Sequence, residues 1–447
     1  MRPVVLTIAG SDPGGGAGIQ VDLETITVLG GHGVSVITAL TAQNTQGVRG
    51  VEPVRIGFIE EQLEAILEDM TPSAAKTGML WGKEVVEVVS LKLREHNVRN
   101  LVVDPVMVAK GGERLLKEEA SEALVRELLP LAEVVTPNLP EAEILAGMQI
   151  RCREEMTEAA RRIRDLGPRA VLLKGGHLEG DPVDLLLDEE GELWLEGRRT
   201  GPQDVHGTGC VFSSALATFL ARGLGLREAA QRAKAFVSEG IRGAKAPGKG
   251  RFTVDPFFPV ERELARWPVV EALRRAYSRL RSAEVGWLIP EVGSNLVYAM
   301  PGARSPEEVA GFEGRLVRLG RGVARVGEVS FGASRHMASV VLEAMKKDPS
   351  FRSAMNVKFG EEVLEAASRA GLTMASFRRE EEPVEIRERE GATLPWGVGR
   401  ALEGRSDVPD LVYDRGGWGK EPMVRVLGRT PDDVVEKVLE IHRRRDG

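Results

Sequence analysis

The five residues HGTGC, at 206–210, stand directly before a strongly periodic apolar run, VFSSALATFLA. Backbone N–H groups of Gly207, Thr208 and Gly209 converge there on the positive end of the expected helix, a place for a phosphoryl group gathering negative charge. Cys210 falls in the first helical turn, where a thiol is expected to titrate below its ordinary value. A lone cysteine is equally at home as a small buried apolar residue. GSDPGGGAGIQ, at 10–20, has four glycines in five positions and lets backbone amides approach an anion or small ligand, or else serves as a hinge turn. It does not fit GxGxxG, and GxxxxGK[ST] occurs nowhere in the chain. DPVMV places Asp104 at a strand end, and TPNLPEAEIL sets Asn138 and Glu141 three apart at a strand-to-helix junction. Together these are oxygen ligands of the magnesium type, although each alone reads equally well as a cap. In a parallel sheet the strand C-termini share one edge, so Asp104, Asn138 and the Lys174-Gly175-Gly176 turn can line one crevice.

The later residues carry polar islands instead: VGSNLVYAMPGA, FEGRLVRLG, FGASRHMASVV, RSAMNVKFG and YDRGGWGKEPMVRVLG. Small residues around Asn295, Ser334 and Gly416-Gly417 let backbone amides near a ligand, and Arg315, Arg335, Lys358 and Lys420 supply anion partners, so the islands read as a site for several phosphates. Surface arginines and lysines are also ordinary solubilising residues, and a lone His336 is ordinarily structural.

These residues need elements to hold them. In the first part, strand-like runs (VVLTIAG, VSVITALTA, AAKTGML, NLVVDPVMV, EVVTPN, RAVLLKGG) alternate with helical periodicity at 18–29, 59–69, 84–96 and 155–166. Repeated βα units predict a parallel sheet covered on both faces. Helices at 211–222 and 226–242 close this part, and the Gly/Pro-rich APGKGRFTVDPFFP ends it, giving a first domain over 1–258. Residues 259–283 read as one helix, either a linker or the first helix of the second domain. Residues 284–447 read as a second α/β domain, with strands in RLVRLG, LVYDRG and PMVRVLG and helices at 337–347, 361–370 and 431–443. The charge-dense REEEPVEIRERE at 379–390 is expected to be a solvated loop.

Composition bounds the function. The 447 residues carry a net charge of −7, which argues against a nucleic-acid binder held by bulk positive charge. Residues 1–258 hold 29 Lys and Arg against 37 Asp and Glu, whereas 259–447 hold 31 against 30, so the two parts differ in character. No apolar run approaches the ~20 residues of a membrane-spanning helix, and Met1 leads straight into a strand without a charged-then-apolar leader, so a cytoplasmic location is expected. The two cysteines, Cys152 and Cys210, cannot make a disulfide framework or a four-cysteine metal site.

GSDPGGGAGIQVDL, ITALTAQNTQGV, KTGML, LVVDPVMVAKGG, VVTPNLPEAE, LLKGGH and HGTGC occur in that order across 1–258. In them the chain resembles the hydroxymethylpyrimidine/phosphomethylpyrimidine kinases, a ribokinase-like family of thiamine biosynthesis. The resemblance implies a three-layer αβα fold and two successive phosphorylations, with ATP and Mg2+, of 4-amino-5-hydroxymethyl-2-methylpyrimidine and then of its monophosphate. It implies that Gly10, Asp12, Gln43, Met79 and Val106 surround the pyrimidine, with the Gln43 amide reading the ring. Gly207, Thr208, Gly209 and Cys210 are implied to form the anion hole, Asp104, Asn138 and Lys174 to meet nucleotide or phosphate, and Glu141 to meet the metal. Cys210 stands where most ribokinase-like sugar kinases carry an aspartate base, as in the pyrimidine kinases. Asp204 matches an acidic position of the superfamily whose role stays open. Pyridoxal is the rival acceptor, and kinases of this fold commonly form homodimers.

Residues 284–442, through GASxH, AMNxK and GKEPMxRVLG, resemble the archaeal-type thiamine-phosphate synthase domain. This implies condensation of the pyrimidine diphosphate with a thiazole phosphate to thiamine phosphate and pyrophosphate. By the same resemblance Arg315 and His336 are catalytic, and Asn295, Asn356, Lys358 and Lys420 contact substrate. The alternative is a non-catalytic thiamine-phosphate sensor, since related domains serve in transcriptional repressors; no DNA-binding helix pair is apparent in the sequence.

Overall fold

Short β-branched runs such as VVLTIA and AVLLK bury on both faces, and that pattern belongs to a sheet sandwiched between helices. In the computed structural model, which describes residues 2–107, 118–176, 181–199, 201–202, 204–387, 391–417 and 420–445, the chain divides into two compact units, Met1–Val260 and Glu261–Gly447. The motif ends at 108–112, His177 and 418–419 lie outside the described residues.

In the first unit the elements run β1 (Val4–Ser11), α1 (Gly18–Val28), β2 (His32–Asn44), β3 (Gly47–Pro53), α2 (Ile56–Leu67), β4 (Ala74–Thr77), α3 (Lys83–Glu95), β5 (Leu101–Val103), α4 (Glu118–Ala123), β6 (Val134–Val135), α5 (Leu139–Ala146), α6 (Arg153–Arg164), β7 (Ala170–Lys174), β8 (Val183–Asp188), β9 (Gly191–Glu196), α7 (Thr208–Ala221) and α8 (Leu226–Arg242). Nine strands form one sheet in the order β3-β2-β1-β4-β5-β6-β7-β8-β9. It is parallel from β2 to β7, with antiparallel β3 at one edge and β8 and β9 at the other. One apolar core, with Leu6, Ile8 and Val103 facing residues of α2, α3, α5 and α6, covers one face. A second, with Val5, Val102 and Leu172 facing α1, α7 and α8, covers the other. Strand alternation thus feeds two cores, and the unit is a three-layer αβα domain of ribokinase-like type. β3 and β9 are absent from the sequence reading because their residues mix charge and glycine at the sheet edges, and β8, VDLLLD, because two buried aspartates interrupt its apolar run.

Helix α9 (Phe258–Arg281) comes next, and its Val269, Leu273, Ala276, Tyr277 and Leu280 belong to the core of the second unit. Then come β10 (Leu296–Ala299), β11 (Val309–Phe312), β12 (Leu316–Leu319), β13 (Gly322–Arg325), β14 (Val329–Phe331), α10 (Arg335–Lys347), β15 (Ser353–Lys358), α11 (Glu361–Arg369), β16 (Met374–Ser376), α12 (Val384–Arg387), α13 (Thr393–Leu402), β17 (Leu411–Asp414), β18 (Met423–Gly428) and α14 (Pro431–Arg443). Seven of these strands form a sheet ordered β14-β11-β10-β15-β18-β17-β16, antiparallel except between β16 and β17, while β12 and β13 pair as a separate hairpin. Helices α9, α11 and α14 pack on one face and α10 and α13 on the other. The charged run at 379–390 is mostly exposed among its described residues, as expected of a solvated segment, but it forms short helical turns, Glu382 is buried, and Arg379 is half-buried where it reaches the fully buried Asp414.

Among the described residues no helix is long and apolar enough to cross a membrane.

Candidate functional site

In the first sheet β1 has β2 on one side and β4 on the other, so the chain order reverses beside β1 and leaves a crevice at the strand C-termini. A cavity of about 1050 Å³ opens there. Every site residue read from the first part lies in its wall: Gly10, Asp12, Gln43, Met79, Asp104, Val106, Asn138, Glu141, Lys174, Gly207, Thr208, Gly209 and Cys210, with Asp204 also in the wall.

Helix α7 begins at Thr208, three residues before the expected start at Val211, with Gly207 as its cap. Gly207 sits at φ 84°, and a Cβ there would lie 2.0 Å from the Gly16 carbonyl oxygen, so only glycine lets the two glycine-rich loops touch. The first backbone bond of the helix is from Val211 N–H to Gly207 O at 3.0 Å. The amides of Thr208, Gly209 and Cys210 precede it and are left at the cavity wall. The Cys210 thiol corrects one expectation. Burial pushes it up to about 11, against the pull of the Lys76 ammonium; Asp22 and Asp104 add to the rise, and the Gly18 N–H opposes it. Desolvation therefore outweighs the helix terminus, and the resting thiol is protonated at neutral pH.

A Cβ built on Gly209 would stand 3.3 Å from Lys174 Nζ and 3.6 Å from Asp104 Oδ2, so this pair adjoins the amides of α7. Lys174 Nζ donates to Asp104 Oδ1 at 3.1 Å, and Thr136 and Ser213 hydroxyls donate to the same carboxylate at 3.3 Å. Burial pulls the Lys174 ammonium down, but Asp104 and Glu141 outweigh it and hold it above the usual lysine range. Asn138 and Glu141 form a reciprocal capping box on α5, each side chain accepting the other's backbone N–H at 2.9 Å. Glu141 is 3 % exposed, and burial pushes its carboxyl up to about 7 although Lys174 opposes this. Asn138 therefore caps a helix as well as lining the cavity.

The glycine-rich loop differs from its expected use. Gly14 and Gly16 donate their amides to the Asp12 carboxylate at 2.8 and 3.2 Å, and Gly15 to the Asp12 carbonyl at 3.0 Å, so these amides close a turn on Asp12 and do not await an anion. The turn also fixes the Gln43 side chain: its Nε2 lies 3.2 Å from Asp12 Oδ2 and 3.1 Å from His206 Nε2. His206 is the first residue of HGTGC, and its contact with Gln43 across 163 positions carries no sequence signal.

Sequence reasoning also passed over a buried cluster beneath Cys210. Lys76, fully buried on β4, donates to Asp22 of α1 at 2.8 and 3.0 Å, and Thr7 and Ser214 hydroxyls donate to the same carboxylate at 2.7 Å. The available signal was a lysine inside the otherwise uncharged strand AAKT, which can be buried only with a partner.

In the second unit, antiparallel register gathers most of the islands at one end of the sheet. Leu296 pairs with Met355, Met423 with both Lys358 and Asp414, and Phe312 ends β11 beside Asn295. Arg315, Asn295, Asn356, Lys358 and the β17–β18 turn with Lys420 therefore share that end. Asn295 gives its amide group to Phe312 N–H and C=O, and Asn356 accepts from Asn295 N–H at 2.7 Å and donates to Gly293 O at 3.1 Å. Both amides thus hold the backbone of the floor. Arg315, at φ 79°, reaches the Val292 carbonyl, and Lys420 Nζ lies 3.5 Å from Thr393 Oγ1. Two arginines missed by the sequence reading stand at the same end: Arg379 at 2.6 Å and Arg425 at 2.8 Å from the buried Asp414, one carboxylate between two guanidiniums. His336 is placed apart. Phe312 pairs with Val329 and Ala310 with Phe331, so the loop into α10 leaves from the opposite end of the β11–β14 ladder.

Residues 12–255 match the family model for phosphomethylpyrimidine kinase, and residues 272–440 match that for thiamine-phosphate synthase ThiN. The chain is 51% identical over 261 residues to the thiamine biosynthesis bifunctional protein ThiED of Geobacter sulfurreducens, covering 58% of this chain and about half (53%) of that relative. It is 41% identical over 254 residues to the hydroxymethylpyrimidine/phosphomethylpyrimidine kinase of Bacillus subtilis, covering 56% of this chain and 94% of the relative. The solved ADP complex of Bacillus subtilis pyridoxal kinase superposes with a TM-score of 0.55 at 34% identity, over 58% of this chain and all of that one. With the motifs, the αβα fold and the cavity in agreement, the chain belongs to the phosphomethylpyrimidine kinase family and carries a thiamine-phosphate synthase domain behind its kinase domain.

Proposed function

We propose that the first unit phosphorylates 4-amino-5-hydroxymethyl-2-methylpyrimidine and then its monophosphate from ATP, and that the second unit condenses the resulting diphosphate with a thiazole phosphate to thiamine phosphate. The observation that carries the kinase reading is the convergence, in one cavity, of the open α7 amides, Cys210 and the Lys174–Asp104 pair. With the pyrimidine between Gly10, Met79 and Val106 and its polar edge on Gln43, the hydroxymethyl group faces Cys210. The Cys210 sulfur, as thiolate, accepts the hydroxyl proton. The oxygen's electron pair forms the new bond to the γ-phosphorus, and the bond from that phosphorus to the β-bridging oxygen breaks with its pair left on ADP. Backbone amides of 208–210 and Lys174 stabilise charge on the transferring oxygens. In the second round a phosphate oxygen is the acceptor and needs no base.

The residues fit a magnesium ion. Glu141 is a buried carboxyl with a raised proton affinity beside Asp104, and among the described residues no cluster of three potential ligands exists, so a cation there would share its coordination with phosphate oxygens. Magnesium held by Glu141 would supply charge neutralisation on the nucleotide.

In the second unit the diphosphate leaves the pyrimidine methylene as pyrophosphate with the C–O electron pair, and the thiazole nitrogen's lone pair forms the C–N bond. Arg315 faces the leaving group, with Lys358 and Lys420 on phosphates. An arginine held on left-handed backbone, which costs about 1–2 kcal/mol, favours a working side chain there. Arg379 and Arg425 add cationic field at the same end.

The test supplies the whole chain with the pyrimidine alcohol, thiazole phosphate and Mg-ATP and looks for thiamine phosphate by chromatography. Diphosphate without thiamine phosphate, together with tight thiamine phosphate binding, would establish the sensor reading for the second unit. Faster phosphorylation of pyridoxal than of the pyrimidine would overturn the acceptor assignment.

A further inference from the structure

Asp22 lies on α1, wholly buried, and its carboxylate collects four hydrogen bonds: two from Lys76 Nζ at 2.8 and 3.0 Å, and one each from Thr7 and Ser214 hydroxyls at 2.7 Å. Ser214 stands four residues beyond Cys210 on α7, and side chains so spaced stack on one helix face about 5–6 Å apart. The Lys76–Asp22 pair is therefore anchored to the helical turn directly below the sulfur. Lys76 also reaches the cavity, whose wall it shares with Gly78 and Cys210, and a Cβ built on Gly78 would stand 2.9 Å from its Nζ.

A buried ion pair is a poor stabilising device, because desolvation consumes most of its Coulombic gain. This pair also has two hydroxyl donors drawing on the carboxylate and none competing for the ammonium in that set, so Asp22 charge is satisfied more fully than Lys76 charge. The remaining field points where the acceptor hydroxyl must give up its proton.

We propose that Lys76 is a positioning residue of the kinase site, its fixed ammonium beneath Cys210 stabilising the negative charge that the sulfur carries when it takes up the hydroxyl proton. The inference rests on Cys210 being that acceptor. Four charged groups bear on the sulfur: Lys76 from β4, Asp22 from α1, Asp104 after β5 and Lys174 from β7. Of the first three Lys76 acts most strongly and favours the thiolate, whereas Asp22 and Asp104 oppose it.

Alkylation of Cys210 by iodoacetamide, followed against pH by mass spectrometry in a full-length Cys152→Ser background, reads the thiolate directly without turnover. Lys76→Met should raise the apparent thiol pKa and slow alkylation at a fixed pH, about tenfold for each pH unit by which the titration midpoint rises, whereas Lys76→Arg should keep the wild-type profile. Asp22→Asn/Lys76→Met leaves no buried charge alone and should move the profile in the same direction by less. Folding of each variant is followed by circular dichroism. An unmoved alkylation profile in a folded charge-removing variant overturns the proposal, as does an arginine variant that moves as far as the methionine one. Failure of both charge-removing variants to fold would assign the pair to stability and overturn it equally. If Cys210→Ala phosphorylates at the wild-type rate, it is the assignment of Cys210 as base that fails, and the alkylation result stands apart from that.

Discussion

If the Cys210 thiolate accepts the hydroxyl proton, kcat/KM for the pyrimidine alcohol must climb with pH, because burial holds the thiol up to about 11. A group with that pKa is ionised in about one molecule in 3,000 at about pH 7.5, and the fraction grows about tenfold with each pH unit while it stays small. Reaching the thiolate at that pH therefore costs about 5 kcal/mol, a cost that Lys76 limits and that binding must offset. The expected profile of log kcat/KM has a slope near one from about pH 6.5 to about pH 9, since kcat/KM reports the free enzyme. Cys210→Ala should be slower by about 10² or more at the upper end, and flat, having lost its base. Cys210→Asp installs a base that is ionised across this range and should flatten the profile while retaining turnover. The assay is ADP release at saturating Mg-ATP, with circular dichroism at each pH to confirm the fold. A flat wild-type profile alongside a slow Cys210→Ala would refute the reasoning, since the thiol would then act without ionising.

Gln43→Leu should weaken pyrimidine binding by about 1–3 kcal/mol, because the ring's polar edge loses its partner and Asp12 and His206 lose theirs, while calorimetry should find ATP affinity unchanged. Arg315→Ala and His336→Ala should each cut thiamine phosphate formation and leave phosphorylation intact. Because register sets them at opposite ends of the β11–β14 ladder, the double variant should show the product of the two losses, and a double loss no greater than either single would place both on one group. Asp414→Asn leaves the buried Arg425 and the half-buried Arg379 without their carboxylate and should cost about 3–5 kcal/mol in urea unfolding at neutral pH. Burial raises the Asp414 carboxyl but Arg379 and Arg425 outweigh it and hold it below its ordinary value, so its contribution is present above about pH 4 and is lost as pH falls through the folded pKa; the gap between variant and wild type should close there.

Along the chain, the legible features were those that local rules govern. Helix α8 was bounded correctly at 226–242, and α3, α6, α11 and α14 to within two residues, because 3.6-residue periodicity and polar flanks are local. The six parallel strands of the first sheet were legible as short apolar runs ending in Gly, Pro or Asn. β10 and β15 were not, since in the second unit they lie within islands noticed for their polar residues, and β11, only four residues long, falls largely between two such islands.

The site divides along the same line. HGTGC before an apolar helix, Asp104 at a strand end and Asn138 at a helix cap are local arrangements, so the sequence by itself determined which residue types reach the crevice and that they reach it together. Tertiary structure alone decided what each does there. The direction in which the Cys210 thiol moves depends on how closely α1, β4 and β5 pack around the sulfur, the glycine-loop amides were taken by Asp12, and Lys76 found Asp22 across 54 positions. In the second unit, strand register parted His336 from Arg315 and brought Arg379 to Asp414. Desolvation and long-range pairing depend on distances between segments remote in sequence, and those distances exist only once the chain has folded.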